Sequence, residues 1–140
     1  MVYAKLMMIM TTNELKYDNR ACFQITRETG QWQSVEYSTF TLGSEADKYR
    51  LNVAGFSGDA GDAFSAPVHP FRVVNGMQFS TGDSDNDNNG GQCFGGTTGW
   101  WFNNCGRSTL NAYYRADWNT VTDTVVKNIE FVRMLVKLDD

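Results

Sequence analysis

Positive charge is scarce and scattered in this sequence: 12 Lys and Arg stand against 16 Asp and Glu in 140 residues, giving a net charge of −4 with no basic block. Nucleic acids and anionic membrane surfaces attract proteins through clustered Lys and Arg, so neither is an expected partner. Histidine occurs once, as His69 between Val68 and Pro70. A Ser-His-Asp or Cys-His arrangement would have that single base and no nucleophile motif around it, so the sequence reads as a binder and not an enzyme. Long apolar runs are missing as well. Leu6 to Met10 falls far short of the roughly 20 residues that cross a bilayer, and it has no small-residue cleavage site, so no membrane insertion is expected. An export signal, if the protein is secreted, is not in this sequence.

Cysteine is used three times. Cys93 and Cys105 close a short Gly-rich loop, a spacing met equally by a disulfide or by two unrelated thiols. A bridge would stabilise by about 3 kcal/mol and would imply an oxidising compartment. Cys22, between Ala21 and Phe23, is either a small buried hydrophobe or a thiol without its partner. Aromatic residues, in contrast, are plentiful. Four Trp, six Tyr and nine Phe suit a packed core, and at this length residues 1–140 read as one domain.

Glu14 to Tyr17, Ala21 to Thr26, Val35 to Phe40 and Tyr49 to Val53 are short aromatic and β-branched segments separated by polar turns, and they read as strands. The glycines of Gly55 to Phe64 leave room for one helical turn at Asp59-Ala-Gly-Asp-Ala-Phe64. Asp59 and Asp62 there are read as turn and cap residues in preference to paired catalytic acids. Pro67 and Pro70 mark a connector, Met77 to Ser80 resumes a short strand, and Val125 to Leu138 is expected to form a buried strand.

The stretch Phe79 to Cys105, FSTGDSDNDNNGGQCFGGTTGWWFNNC, carries the strongest chemical signal. Asp83, Asp85 and Asp87 alternate along the sequence, and no Lys or Arg lies between Arg72 and Arg107. Crowded like charges raise one another's free energy, and a hard divalent cation would remove that cost. Calcium suits the loop because it takes six to eight oxygens, mixes carboxylates with backbone carbonyls and tolerates irregular backbone. An EF-hand does not fit, since Asn88 and Phe94 occupy the positions of its Gly and Glu. The remaining readings are another type of calcium loop or a solvated turn. Trp100 and Trp101 follow. Adjacent rings on a strand point to opposite faces, so one ring is expected in the core while the other either packs there too or faces a ligand.

Together these residues resemble the fibrinogen C-terminal domain family, which includes the fibrinogen chain ends, ficolins and tachylectins. Phe40 to Phe64 is similar to the segment leading into that family's calcium-binding part. Asn75 to Cys93 matches its FSTxDxDND…C signature, and Gly99 to Cys105 with Leu110-Asn111 matches GWWxxxC…LNG, with Ala112 in place of the last glycine. The resemblance runs from about Glu14 to Tyr114 and takes in the tail from Ile129 to Leu138.

The resemblance implies an α+β, mainly antiparallel β fold: a fibrinogen C-terminal-like domain lacking its N-terminal subdomain, with the calcium-binding part at about 75–114. It places Ca2+ ligands on the side chains of Asp85 and Asp87 and the backbone carbonyls of Asn89 and Gly91, with Asp83 in support. It pairs Cys93 with Cys105 and puts a cis peptide at Asn104-Cys105. A ligand surface is implied near Trp100, Trp101, Asn104, Cys105, Tyr113 and Tyr114, although Gly106 replaces the family's usual histidine. The implied function is calcium-dependent, lectin-like binding of glycans or acetylated ligands in innate-immune-type recognition. The alternative is a protein-interaction or assembly module that binds no sugar. A secreted protein is expected, and a homo-oligomer would raise weak single-site binding through avidity.

Overall fold

The computed structural model describes residues 19–27, 30–65, 72–93, 99–105, 108–111, 117–119, 125–126 and 129–137. The expected strand at Glu14 to Tyr17 and the connector with His69 lie outside them. Three strands come early: β1 (Asn19–Arg27), β2 (Trp32–Leu42) and β3 (Leu51–Gly58), with a 3-10 turn (Glu45–Asp47) before β3. The short β4 (Ser108–Thr109), β5 (Asp117–Asn119) and β6 (Val125–Val126) follow, then β7 (Ile129–Lys137). Among the described residues no helix is long and apolar enough to cross a membrane.

β3, β2, β1 and β7 form one antiparallel sheet in that order, and β4, β5 and β6 form a small second one. Period-two alternation turns Ala21, Phe23 and Ile25 of β1 into the core. In β2 the inward residues are Val35, Tyr37 and Phe40. The step of three between the last two is absorbed by a bulge where Asn19 pairs with Phe40 but Ala21 pairs with Tyr37.

The expected strand at Tyr49 to Val53 begins two residues late. Lys48 and Tyr49 both take left-handed backbone, with φ of 54° and 51°, to leave the 3-10 turn, and an L residue in that conformation cannot continue a strand. The expected buried strand from Val125 to Leu138 is two strands in different sheets. Only one face of β7 meets the core: Val132, Met134 and Val136 pack inward, while Phe131 and Leu135 are 52% and 48% exposed. Of the expected strand Met77 to Ser80, only Ser80 makes a bridge, to Trp100.

No helical turn forms at residues 59–64; the backbone bends there around Asp62. Asp62 Oδ1 accepts the Tyr37 hydroxyl at 2.7 Å and the amides of Ser65 and Phe64 at 2.9 and 3.1 Å, and Oδ2 accepts the Ser65 hydroxyl. A carboxylate with so many local donors competes with helical hydrogen bonding. Asp59 Oδ1 accepts the Ser34 amide at 2.7 Å, so both aspartates have the turn roles expected of them. Burial first, then the Asp62 carboxylate, pushes the Tyr37 hydroxyl well above the ordinary tyrosine range, keeping it a donor.

These bends carry Phe64 into the core, where it stacks on Tyr37 at 5.4 Å and meets Phe23, Trp118 and Trp100 at 5.2, 5.1 and 6.1 Å. Trp118 Nε1 in turn donates to the carbonyls of Gly61 and Ala60 at 3.0 and 3.2 Å, tying the second sheet to the same bend. Asp62→Ala would leave the Tyr37 hydroxyl and two amides without their acceptor. A loss of about 2–4 kcal/mol in urea unfolding is expected, and a smaller one for Asp62→Asn.

Candidate functional site

The aspartate loop starts from a buried anchor. Ser80 exchanges backbone hydrogen bonds with Trp100, at 2.9 and 3.1 Å, which pins the loop to the core aromatics. Its hydroxyl accepts the Asn86 amide at 3.0 Å, and the Asn86 side chain donates to the Phe79 carbonyl at 2.8 Å. Two residues on, the Asn88 amide and side chain donate to the backbone and side-chain oxygens of Asn103 at 3.0 and 2.9 Å. Asn103 is 6% exposed and itself donates to the Val73 carbonyl at 3.0 Å. The alternation in the sequence therefore has a division of labour. Asn86 and Asn88 bond back to the protein, while Asp85 and Asp87 accept loop amides.

Asp85 Oδ1 accepts the Asp87 amide at 3.2 Å. Asp87 Oδ1 accepts the Asn89 amide at 2.8 Å, and its Oδ2 accepts the Cys93 amide at 3.0 Å. Such bonds two residues forward are how Asp shapes tight loops. Asp83 is fully exposed, and its Oδ1 accepts the Thr81 hydroxyl at 2.7 Å, which holds its carboxyl below the ordinary aspartate range. Among the described residues no ion pair engages Asp83, Asp85 or Asp87. Nor, among them, do three acidic, histidine or cysteine side chains converge on a metal position. An ion here would have to combine two carboxylates with backbone oxygens. That all-oxygen donor set fits a hard cation such as calcium and does not suit zinc.

Cys93 and Cys105 are bridged, with Cα atoms 4.8 Å apart. The Asn104-Cys105 peptide is trans, contrary to the expected cis bond. The backbone instead turns at Cys105, whose φ of 58° is left-handed, a conformation that costs an L residue about 1–2 kcal/mol. The Cys105 amide faces Cys93 Sγ at 3.0 Å, and the Asn89 side chain donates to Cys105 Sγ at 3.3 Å. Asn104 and Cys105 are exposed, as are Asp85 and Gly91, while Asp87 and Asn89 are half-buried.

Trp100 and Trp101 are each 1% exposed, so of the two readings left open for the second ring the structure shows core packing, and neither ring faces a ligand. Beyond the Ser80 bridge the backbone here is not a regular strand, so both side chains turn into the core, 5.3 Å apart. Trp101 packs edge-on against Phe79 at 5.1 Å and donates its Nε1 to the Tyr49 carbonyl at 2.8 Å. Tyr113 and Tyr114 lie outside the described residues. Cys22 is half-buried and unbridged. It lines a groove of about 480 Å³ on the outer face of the four-stranded sheet, with Arg20, Glu36, Ser38 and Leu135. Burial, then Glu36, pushes its thiol up, so it is not a poised nucleophile. The residues that sequence reasoning missed are the amides Asn86, Asn88 and Asn103, whose roles depend on partners up to 30 residues away. Their one local signal is alternation with the aspartates.

The profile of the C-terminal globular domain of fibrinogen beta and gamma chains matches residues 6–131. The human fibrinogen gamma chain is 40% identical over 119 residues, which cover 79% of this protein and 26% of that one. Bovine angiopoietin-4 is 42% identical over 101 residues, covering 69% of this protein and 19% of the relative. The sequence thus spans about a quarter or less of these relatives. Among solved structures, the fibrinogen-like globe domain of human ANGPTL2 superposes with a TM-score of 0.68 at 27% identity, covering 88% of this protein and 59% of that one. Lamprey fibrin D-dimer, complexed with the peptide ligand Gly-His-Arg-Pro-amide, has a TM-score of 0.70 at 24% identity, covering 92% and 49%.

Two outcomes are expected from this geometry. Asn103→Ala strips an acceptor from Asn88 and a donor from the Val73 carbonyl, and should cost about 1–3 kcal/mol in urea unfolding. Asp83 should titrate below the ordinary aspartate range by NMR, and Thr81→Val should move it upward. Because its folded value is depressed, any stability linked to it is present above the ordinary range and lost as pH falls through the lowered value.

Proposed function

Since this protein belongs to the family of C-terminal globular domains of fibrinogen beta and gamma chains, we propose that it is a calcium-supported recognition module for a protein or peptide partner. The observation that carries this reading is the hydrogen-bonded connection of Asp87 to the bridged corner, where Asn104 and Cys105 are exposed. Calcium would be held by the carboxylates of Asp85 and Asp87 and the carbonyls of Asn89 and Gly91, with Asp83 adding negative potential nearby. Bound there, it supplies positive charge that relieves carboxylate repulsion. The protein's own part is to aim those carboxylates, through the Asn86 and Asn88 anchors and the amides capping Asp85 and Asp87. The ion organises the corner and does not itself touch the partner.

A protein or peptide is favoured over a glycan by what the corner presents. Trp100, Trp101 and Phe102 are all buried, so none of these three rings is free to stack on a sugar. The amide and backbone groups that remain suit hydrogen bonding to an extended peptide. The lamprey fibrin structure carries a peptide, which supplies a probe to test here. The module is proposed to act by binding and not by catalysis. The Cys93–Cys105 bridge suits secretion, and association of several copies would raise a modest affinity.

Calcium at 100 times its dissociation constant should add about 2.7 kcal/mol to stability, so a chelator should lower Tm by several degrees. Combining Asp85→Ala with Asp87→Ala should abolish that difference. An unchanged Tm on chelation would remove the ion from the reading. Peptide and glycan arrays, with Gly-His-Arg-Pro-amide among the peptides and each run with and without chelator, test the partner class. Calcium-dependent retention on peptides is expected. Retention on acetylated glycans with a blank peptide array would return the lectin-like reading.

A further inference from the structure

The outer face of the four-stranded sheet leaves large apolar side chains in solvent. Strand register sets them in two cross-strand rows, Trp32–Thr26–Phe131 at one end and Glu36–Cys22–Leu135 at the other, with Ser34, Gln24 and Arg133 as the row between. Residues paired in this way share a face. Trp32, Phe131 and Leu135 are each about half exposed, and apolar surface grouped on one face marks an interaction site. The two ends of the face are unlike. At the ring end the Arg133 guanidinium reaches across β1, 5.7 Å from the centre of the Trp32 ring and 3.5 Å from Gln24 Oε1. Positive charge therefore sits over the aromatic end. At the other end the face is hollow: the groove of about 480 Å³ opens beside Cys22 and Leu135, with Glu36 on its wall and Arg20 exposed at its rim.

We propose that this face joins two copies of the protein in a symmetric dimer, with their strands antiparallel. A two-fold axis crossing the strands at the Gln24 row turns the ring end of each copy onto the hollow end of the other, because the two rows lie equally far from it. Phe131 then meets the partner's Leu135 and the groove beside it, and the Arg133 guanidinium over Trp32 meets the partner's Glu36. Each contact occurs twice, as an isologous interface requires. A second copy is the occupant because the surface complements itself: one face carries both ring and hollow, both cation and carboxylate. Stacked sheets keep their strands roughly aligned and lie about 10 Å apart, a gap that large side chains fill. Strands β2, β1 and β7 present roughly 30 by 15 Å here. The pair would bury on the order of 1,000 Å², where specific association begins, so the dimer is a reversible one. It rests on neither the ion nor the peptide reading above.

The test is sedimentation equilibrium of the whole protein across the micromolar range. A monomer–dimer equilibrium is expected, and alkylation of Cys22, the one cysteine outside the bridge, should slow as the dimer fills. Reversing one charge, by Glu36→Arg or by Arg133→Glu, should weaken the dimer about tenfold, and joining both reversals in one chain should restore it. A monomer at every concentration overturns the proposal, as do single reversals without effect or a double reversal that recovers nothing. Cys22 shielded equally at every dilution overturns it too, since the cover would then come from within the same chain. Should a reversal fail to fold, Phe131→Ser takes its place: a dimer weakened about tenfold or more supports the face, and an unchanged one overturns it.

Discussion

Phe64 joins parts of the protein that backbone hydrogen bonds do not. Its ring stacks on Tyr37 and meets Phe23 from the large sheet, Trp118 from the small one, and Trp100 at the root of the aspartate loop. Much of the described backbone between the two sheets is irregular, so side-chain packing has to do what a strand ladder would do elsewhere. Large rings suit this, because each buries much apolar area and edge-to-face geometry limits how they meet. Asp62 holds the bend that delivers Phe64, with its charge dispersed over hydrogen bonds from Tyr37, Ser65 and the local backbone.

The aspartate loop inherits its position from that core. Ser80 bridges to Trp100, and Asn103 follows Phe102 out of the buried aromatic run to receive Asn88. With packing beneath and satisfied amides along one side, the carboxylates of Asp85 and Asp87 are shaped by N–H donors of the loop. The bridged corner then shares Asp87 with the loop. Charge, disulfide and exposed surface are physically continuous here.

Several features were legible in the residues themselves. The alternation in Ala21 to Thr26 and in Val35 to Tyr37 located two strands, and the family motifs located the bridge that the structure shows. Other features were not legible. Adjacent Trp100 and Trp101 left open whether one ring faces outward, and both are buried because the backbone beyond the Ser80 bridge is not a regular strand. The tail at Val125 to Leu138 reads as one apolar strand, yet it divides between two sheets. The cis bond implied by resemblance is replaced by left-handed backbone at Cys105.

What the sequence by itself determined is local: the period of the strands, the crowding of negative charge without cations, and the chemistry of oxygen donors in the loop. Each depends on residues within a few positions of one another. Tertiary structure decided which side chains complete which polar groups. Asn103 serving Asn88 and Val73, Tyr37 serving Asp62, and Asn89 reaching Cys105 are pairings across 15 to 30 residues. A side-chain amide or hydroxyl has no preferred partner until folding brings one within about 3 Å and removes the competing water.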